Sequence, residues 1–151
     1  MNTITVPLYR AAHGRTGDKG NRSNISVIAW HPALWNLLVD QVTEAAVAAQ
    51  FAHRRPTRVT RHLLPRLHAM NFVLDEVLDG GVNDALNLDS HGKALSFRLL
   101  ELPIQVPQAL LQSPGVSPWP QVDLMDELIG PNRLKVDSSY CYELYLPQEF
   151  H

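Results

Sequence analysis

The chain has 151 residues, 45% of them hydrophobic and 19% charged, and a net charge of −2. That is one domain's worth of sequence, long enough to bury a sizeable core, and the near-neutral charge argues against nucleic acid or an anionic membrane surface as partner. A single cysteine, Cys141, excludes an intramolecular disulfide and a thiolate metal cluster.

Ile4, Val6 and Leu8 alternate with polar or small positions, which predicts an edge strand that tolerates Pro7. The run His13–Asn24 then holds Gly14, Gly17 and Gly20, with Arg15, Asp18, Lys19 and Arg22 set between them. Glycine lets backbone turn sharply and approach a ligand closely, so this run reads as a long, shaped polar loop. A second strand, Ile25–Trp30, follows, and the two strands are expected to pair across the loop. Pro32 opens a helix whose apolar face is Leu34, Leu37, Leu38 and Val42. Thr43 is the expected N-cap of a second helix over 44–51, stopped by Arg54-Arg55-Pro56.

Val59–Leu64 reads as a third strand ended by Pro65. Leu67, Met70, Val73, Leu74, Val77 and Leu78 recur at offsets of three and four, predicting a helix ended by Asp79-Gly80-Gly81. Ala85–Leu88 is expected as a short fourth strand. Asp89–Gly92 is expected as a turn that caps a third helix carrying Ala94, Leu95, Leu99 and Leu102. Gln105–Gln121, with four prolines, is expected as an extended loop, Leu124–Ile129 as a helical turn and Tyr140–Leu146 as a strand.

Charge and proline divide the chain. Residues 1–102 carry 11 lysines and arginines against 9 acids, and residues 103–151 carry 2 against 6 together with seven of the 11 prolines. The expected organisation is a body over 1–104 and an acidic, proline-rich extension over 105–151 that packs on it. The fold class is α+β, a two-layer sandwich with helices on one face of a mostly antiparallel sheet. The N-terminal segment lacks the basic and apolar regions of a signal peptide, and no apolar run nears the ~20 residues of a membrane span, so a cytoplasmic protein is expected.

Three stretches carry a resemblance. Gly14-Arg15-Thr16-Gly17-Asp18-Lys19-Gly20-Asn21, continued by Asn24-Ile25 and Val27-Ile28-Ala29, is the first. Leu67-His68-Ala69-Met70-Asn71-Phe72-Val73-Leu74 is the second, and Leu88-Asp89 with Gly92-Lys93-Ala94-Leu95 the third. Together, over roughly residues 8–104, they resemble the ferredoxin-fold domain at the C-terminus of acyclic terpene utilisation protein A. The resemblance implies a ferredoxin-like fold and a bacterial setting in the catabolism of acyclic terpenes through acyl-CoA intermediates. The family's long form carries a large N-terminal domain, which this chain lacks. The resemblance therefore implies an accessory or ligand-binding subunit, with a separate chain supplying that domain.

The residues themselves leave several roles open. The glycine run is not a P-loop, because Gly20 follows Lys19 and a strand comes next; nor is it a dinucleotide fingerprint, which opens a helix. It suits a small anion or another polar ligand, for which the resemblance implies an acyl-CoA: Arg15 grips a carboxylate or phosphate, Lys19 adds a point charge, and Thr16, Gly17, Asp18 and Asn21 supply polar and backbone groups. Equally, Asp18 can cap the turn and pair with an arginine. On the predicted helix His68 and Asn71 share a face, so Asn71 joins the ligand set. Asp18, Lys19 and His68 are the candidate catalytic groups, with Lys19 or His68 as the acid or base in a stand-alone enzyme that holds a carboxylate on Arg15.

Arg54, Arg55, Arg58, Arg61 and Arg66 fit a solvated face or a phosphate-bearing tail. No aromatic residue between Phe51 and Phe72 offers bases a stacking platform. The seven histidines form no metal-ligating pattern, so neither metal nor cofactor is expected. Trp119, Tyr140, Tyr142 and Tyr145 suit an added strand or a subunit interface, and a homo-oligomer is expected. A structural oligomer without a ligand of its own is the remaining reading.

Overall fold

Among residues 2–116, which the computed structural model describes, the chain runs through β1 (Thr3–Pro7), β2 (Ala12–Lys19), β3 (Arg22–Ala29), α1 (Trp35–Gln41), α2 (Glu44–Gln50), β4 (Arg58–Leu64), β5 (Ala69–Asp75), α3 (Leu95–Leu100), β6 (Pro103–Pro107) and α4 (Gln108–Leu111). Four strands form one antiparallel sheet in the order β2-β3-β5-β4, and β1 pairs with β6 in a separate two-stranded sheet.

Alternation along the central strands decides which face is covered. Ser23, Ile25 and Val27 of β3 and Met70, Phe72 and Leu74 of β5 are buried, while Asn24, Ser26, Asn71 and Val73 between them are half-exposed. Each large apolar side chain buried this way contributes roughly 1.5–3 kcal/mol of transfer free energy. The core they form also takes in Leu38 of α1, Val47 of α2, Leu95 and Leu99 of α3, and Ile104 and Val106 of β6. α3 lies directly over β2. A side chain at Gly14 would reach the Leu100 methyls at 3.7 Å and the Ser26 carbonyl at 3.0 Å. The result is an α+β, ferredoxin-like architecture with its helices over one face of the four-stranded sheet.

Thr43 caps α2 as expected, its Oγ1 accepting the Ala46 N–H at 3.1 Å. The strand expected at 59–64 is β4. The Asp89 turn caps as expected, its carboxylate accepting Lys93 N at 2.7 Å and Ala94 N at 2.9 Å.

Five expectations fail. The glycine run is not a long loop: Ala12–Lys19 is strand β2, joined to β3 through the two residues Gly20-Asn21, with Gly20 at φ 58°. β1 therefore pairs with β6 and not with β3. The helix expected over 67–78 is instead β5, a central strand whose apolar residues on both faces mimic a helical repeat. The strand expected at 85–88 is irregular, and Leu86 and Leu88 are fully exposed. The extended loop expected from Gln105 begins with β6 and α4, which carry Val106 and Leu111 into the core. The helical turn expected at 124–129 and the strand at 140–146, with Trp119 and the tail tyrosines, lie outside the described residues.

Candidate functional site

Because residues paired across an antiparallel sheet share a face, the register aligns four rows on the side away from the helices. They are His13–Ile28–Ala69–Leu64, Arg15–Ser26–Asn71–His62, Gly17–Asn24–Val73–Thr60 and Lys19–Arg22–Asp75–Arg58. The opposite side aligns Thr16–Ile25–Phe72–Arg61 and Asp18–Ser23–Leu74–Val59. The glycine run is thus divided by strand alternation. Arg15, Gly17 and Lys19 point to the open face, and Thr16 and Asp18 to the helix side.

The helix-side residues are engaged in holding the fold. Thr16 Oγ1, buried, accepts the Ser96 N–H in the first turn of α3 at 2.9 Å. Asp18 accepts from the ammonium of Lys93 and lies 3.2 Å from His91 Nδ1. The hydrogen bond from Lys93 first, and that from His91 second, hold its carboxyl below the ordinary aspartate value. Asn21, in the hairpin turn, accepts Leu78 N on Oδ1 at 2.9 Å and Val77 N on its carbonyl at 3.2 Å. The first stretch of the resemblance is in this way tied to the third and to the chain after β5.

The open face is different. Asn71 Oδ1 accepts from Asn24 Nδ2 and from Ser26 Oγ, both at 3.2 Å. With its oxygen so engaged, the amide N–H2 of Asn71 is left to donate. In the same row stands Arg15, exposed, its side chain without a hydrogen bond or ion pair among the described residues. Asn24 itself fills the space above Gly17. A Cβ at Gly17 would overlap the Asn24 side-chain oxygen and sit 3.1 Å from its Cγ. Only glycine leaves room for the amide there.

His68 joins neither group. It sits in the β4–β5 turn at φ 46°, its carbonyl accepting Ala29 N at 3.0 Å and its ring 6.2 Å from that of Trp35. Six residue steps along β3 separate Ala29 from the Ser23 that pairs with Asp18, about 20 Å at strand rise. His68 and Asn71 therefore share no face, because the segment is a strand and not a helix. Lys19, on the open face at the hairpin end, is not brought near His68 either.

Two arginines of the 54–66 cluster are structural. Arg61 Nη1 donates to the carbonyls of Val39 and Val42 at 2.6 and 2.8 Å, closing the C-terminus of α1, and Arg54 pairs with Asp79 at 2.6 Å. The sequence analysis missed Asn24, Ser26 and His62 as open-face residues, and His91 and Lys93 as the partners of Asp18. The alternation of Arg22, Asn24 and Ser26 with Ser23, Ile25 and Val27 is the local signal for the first two. Nothing local signals the Asp18 contacts, which span 73 and 75 residues. Among the described residues no helix is long and apolar enough to cross a membrane, and no group of three or more His, Cys, Asp or Glu is placed to hold a metal ion.

A family model described as the AtuA ferredoxin-like domain matches residues 6–105. No curated protein and no solved structure matches the chain.

Proposed function

The chain belongs to the AtuA ferredoxin-like domain family, and on that premise we propose that it is a ligand-binding accessory module whose open sheet face takes a small anion between Arg15 and Asn71. One observation carries this reading. Both residues stand in one row of the face that the described residues leave uncovered, and the Asn71 oxygen is already engaged by Asn24 and Ser26. Among the described residues, that leaves the row a guanidinium and an amide N–H2, donors without an acceptor. Their Cα atoms are two strand spacings apart, about 10 Å, a gap that a carboxylate closes when an arginine grips it with two parallel hydrogen bonds.

Carboxylates and acyl-CoA thioesters are the ligands to test, in keeping with the setting in acyl-CoA and terpenoid catabolism that this reading adopts. Calorimetric titration of the full chain with short carboxylates and with acetyl-CoA provides the measurement. Arg15→Gln and Asn71→Ala are each expected to weaken binding by about tenfold or more, the worth of a charge-assisted hydrogen bond. The module works in this reading as a homo-oligomer or beside a separate chain with the larger domain. Light scattering and copurification report which.

The structural reading has its own support: Thr16, Asp18 and Asn21 are all engaged inside the molecule. If every probe binds Arg15→Gln as it binds the parent chain, the glycine run is architecture alone. Lys19 and His68 lie at opposite ends of the sheet, so in the stand-alone enzyme reading either acts as acid or base without the other.

A further inference from the structure

A second feature lies at the hairpin end of the open face. Between the β2–β3 turn and the end of β5 a shallow depression of about 450 Å³ is lined by Lys19, Asn21, Arg22, Thr57, Asp75 and Glu76. Every lining residue is polar. Arg22 Nε donates to the Asp75 carboxylate, so these two charges neutralise each other. Lys19 and Glu76 are left, opposite in sign, and neither forms an ion pair among the described residues.

Glu76 is also in an unusual backbone state, with φ at 61°. That left-handed region is natural for glycine and strained for most side chains. The turn is pinned on both sides, by Thr57 N to the Asp75 carbonyl at 3.1 Å and by Val77 N to the Asn21 carbonyl at 3.2 Å. A glycine would make the turn without strain, yet the position holds a carboxylate at the rim of a cavity. Strain of this kind is a pointer from an observed outlier to a role.

We propose that this depression binds a small zwitterion, an α-amino acid or a molecule of the same charge pattern. Its ammonium group rests on Glu76 and its carboxylate on Lys19, with the Thr57 hydroxyl and the Asn21 amide beside them. The charge pattern selects this class. A simple anion at Lys19 meets the repulsion of Glu76, and a simple cation at Glu76 meets that of Lys19, while Arg22 and Asp75 are already paired with each other. A zwitterion satisfies both unpaired groups and leaves the lining neutral. The proposal does not rest on the Arg15 row, which lies four residues back along β2.

The test is a set of ¹H–¹⁵N NMR titrations of the full chain with glycine, serine and glutamine, and separately with acetate and methylamine, which carry one charge each. Saturable shifts at Lys19, Asn21, Thr57 and Glu76 are expected with at least one amino acid and with neither single-charge probe. Lys19→Gln and Glu76→Gln are each expected to weaken the response by about tenfold or more, and Arg15→Gln to leave it unchanged. Glu76→Gly separates site from fold, because a positive φ suits glycine: its stability is expected to hold or rise while binding is lost. Absence of a saturable shift with all three amino acids overturns the proposal. So does an equal response to acetate or methylamine at these four residues, or retention of binding in Glu76→Gly.

Discussion

The Thr16 hydroxyl accepts the backbone N–H of Ser96 at 2.9 Å, across 80 residues of chain and between two buried partners. Ser96 lies in the first turn of α3, where the helix has no carbonyl of its own to offer. The cap comes instead from the neighbouring strand. Thr16→Val keeps the shape and removes the acceptor, stranding a buried donor. The expected loss is about 1–3 kcal/mol, read as a lower midpoint in urea. Thr16→Ser should retain most of the parent stability, and an unchanged midpoint in Thr16→Val would remove the cap from the account.

Asp18 makes stability depend on acid pH. Its carboxyl is held below the ordinary value by the hydrogen bonds from Lys93 and then His91. A depressed folded-state pKa adds stability that is fully present above the unfolded value, near 3.9, and is lost as pH falls through the folded value. Urea midpoints measured from pH 7 down to pH 2 should fall more steeply below about pH 4 for the parent chain than for Asp18→Asn. Parallel acid limbs in the two proteins would show that the contact contributes nothing to folding.

Gly17 and Asn24 are predicted to be coupled. A methyl group at Gly17 overlaps the Asn24 side chain and must push it off Asn71, to which it donates at 3.2 Å. Gly17→Ala is expected to destabilise by roughly 1–3 kcal/mol, the range for overpacking. In an Asn24→Ala background the penalty should shrink by at least half, giving a coupling of about 0.5 kcal/mol or more in a double-mutant cycle. Additive effects would mean that the amide does not fill the space over the glycine.

Leu88 is predicted to be silent in the isolated chain. It is fully exposed, as is Leu86, although both were expected in a strand. Leu88→Ser should shift stability by no more than about 0.5 kcal/mol, as measured by thermal unfolding. A loss of 2 kcal/mol or more, in the range of a core truncation, would place the residue in a packed environment.

The resemblance was legible in the sequence because its three stretches are contiguous, and so were the elements set by local chemistry. Thr43 caps α2, Asp89 caps the turn before α3, and Val59–Leu64 lies within β4. Leu67–Leu78 was misread for a physical reason. β5 is a central strand, with Met70, Phe72 and Leu74 buried on the helix side and Ala69 and Val73 on the other, and such two-sided apolar runs fit a helical period equally well. The glycine run was misread because glycine is depleted in strands. Here Gly14 makes room for the Ser26 carbonyl and Gly17 for the Asn24 amide, neighbours that lie across the hairpin.

The sequence by itself determined the family, the α+β class and the residues in which a site was to be sought. Only the tertiary structure decided what those residues do. Strand alternation turns Thr16 and Asp18 toward α3 and the 89–93 turn, and turns Arg15 and Lys19 outward. It also sets Asn71 beside Arg15 and leaves His68 at the far end of the sheet. A side chain's direction in a strand has period two, so a run read as a loop carries no facing at all. Pairing fixes the register, and pairing is a contact between distant parts of the chain.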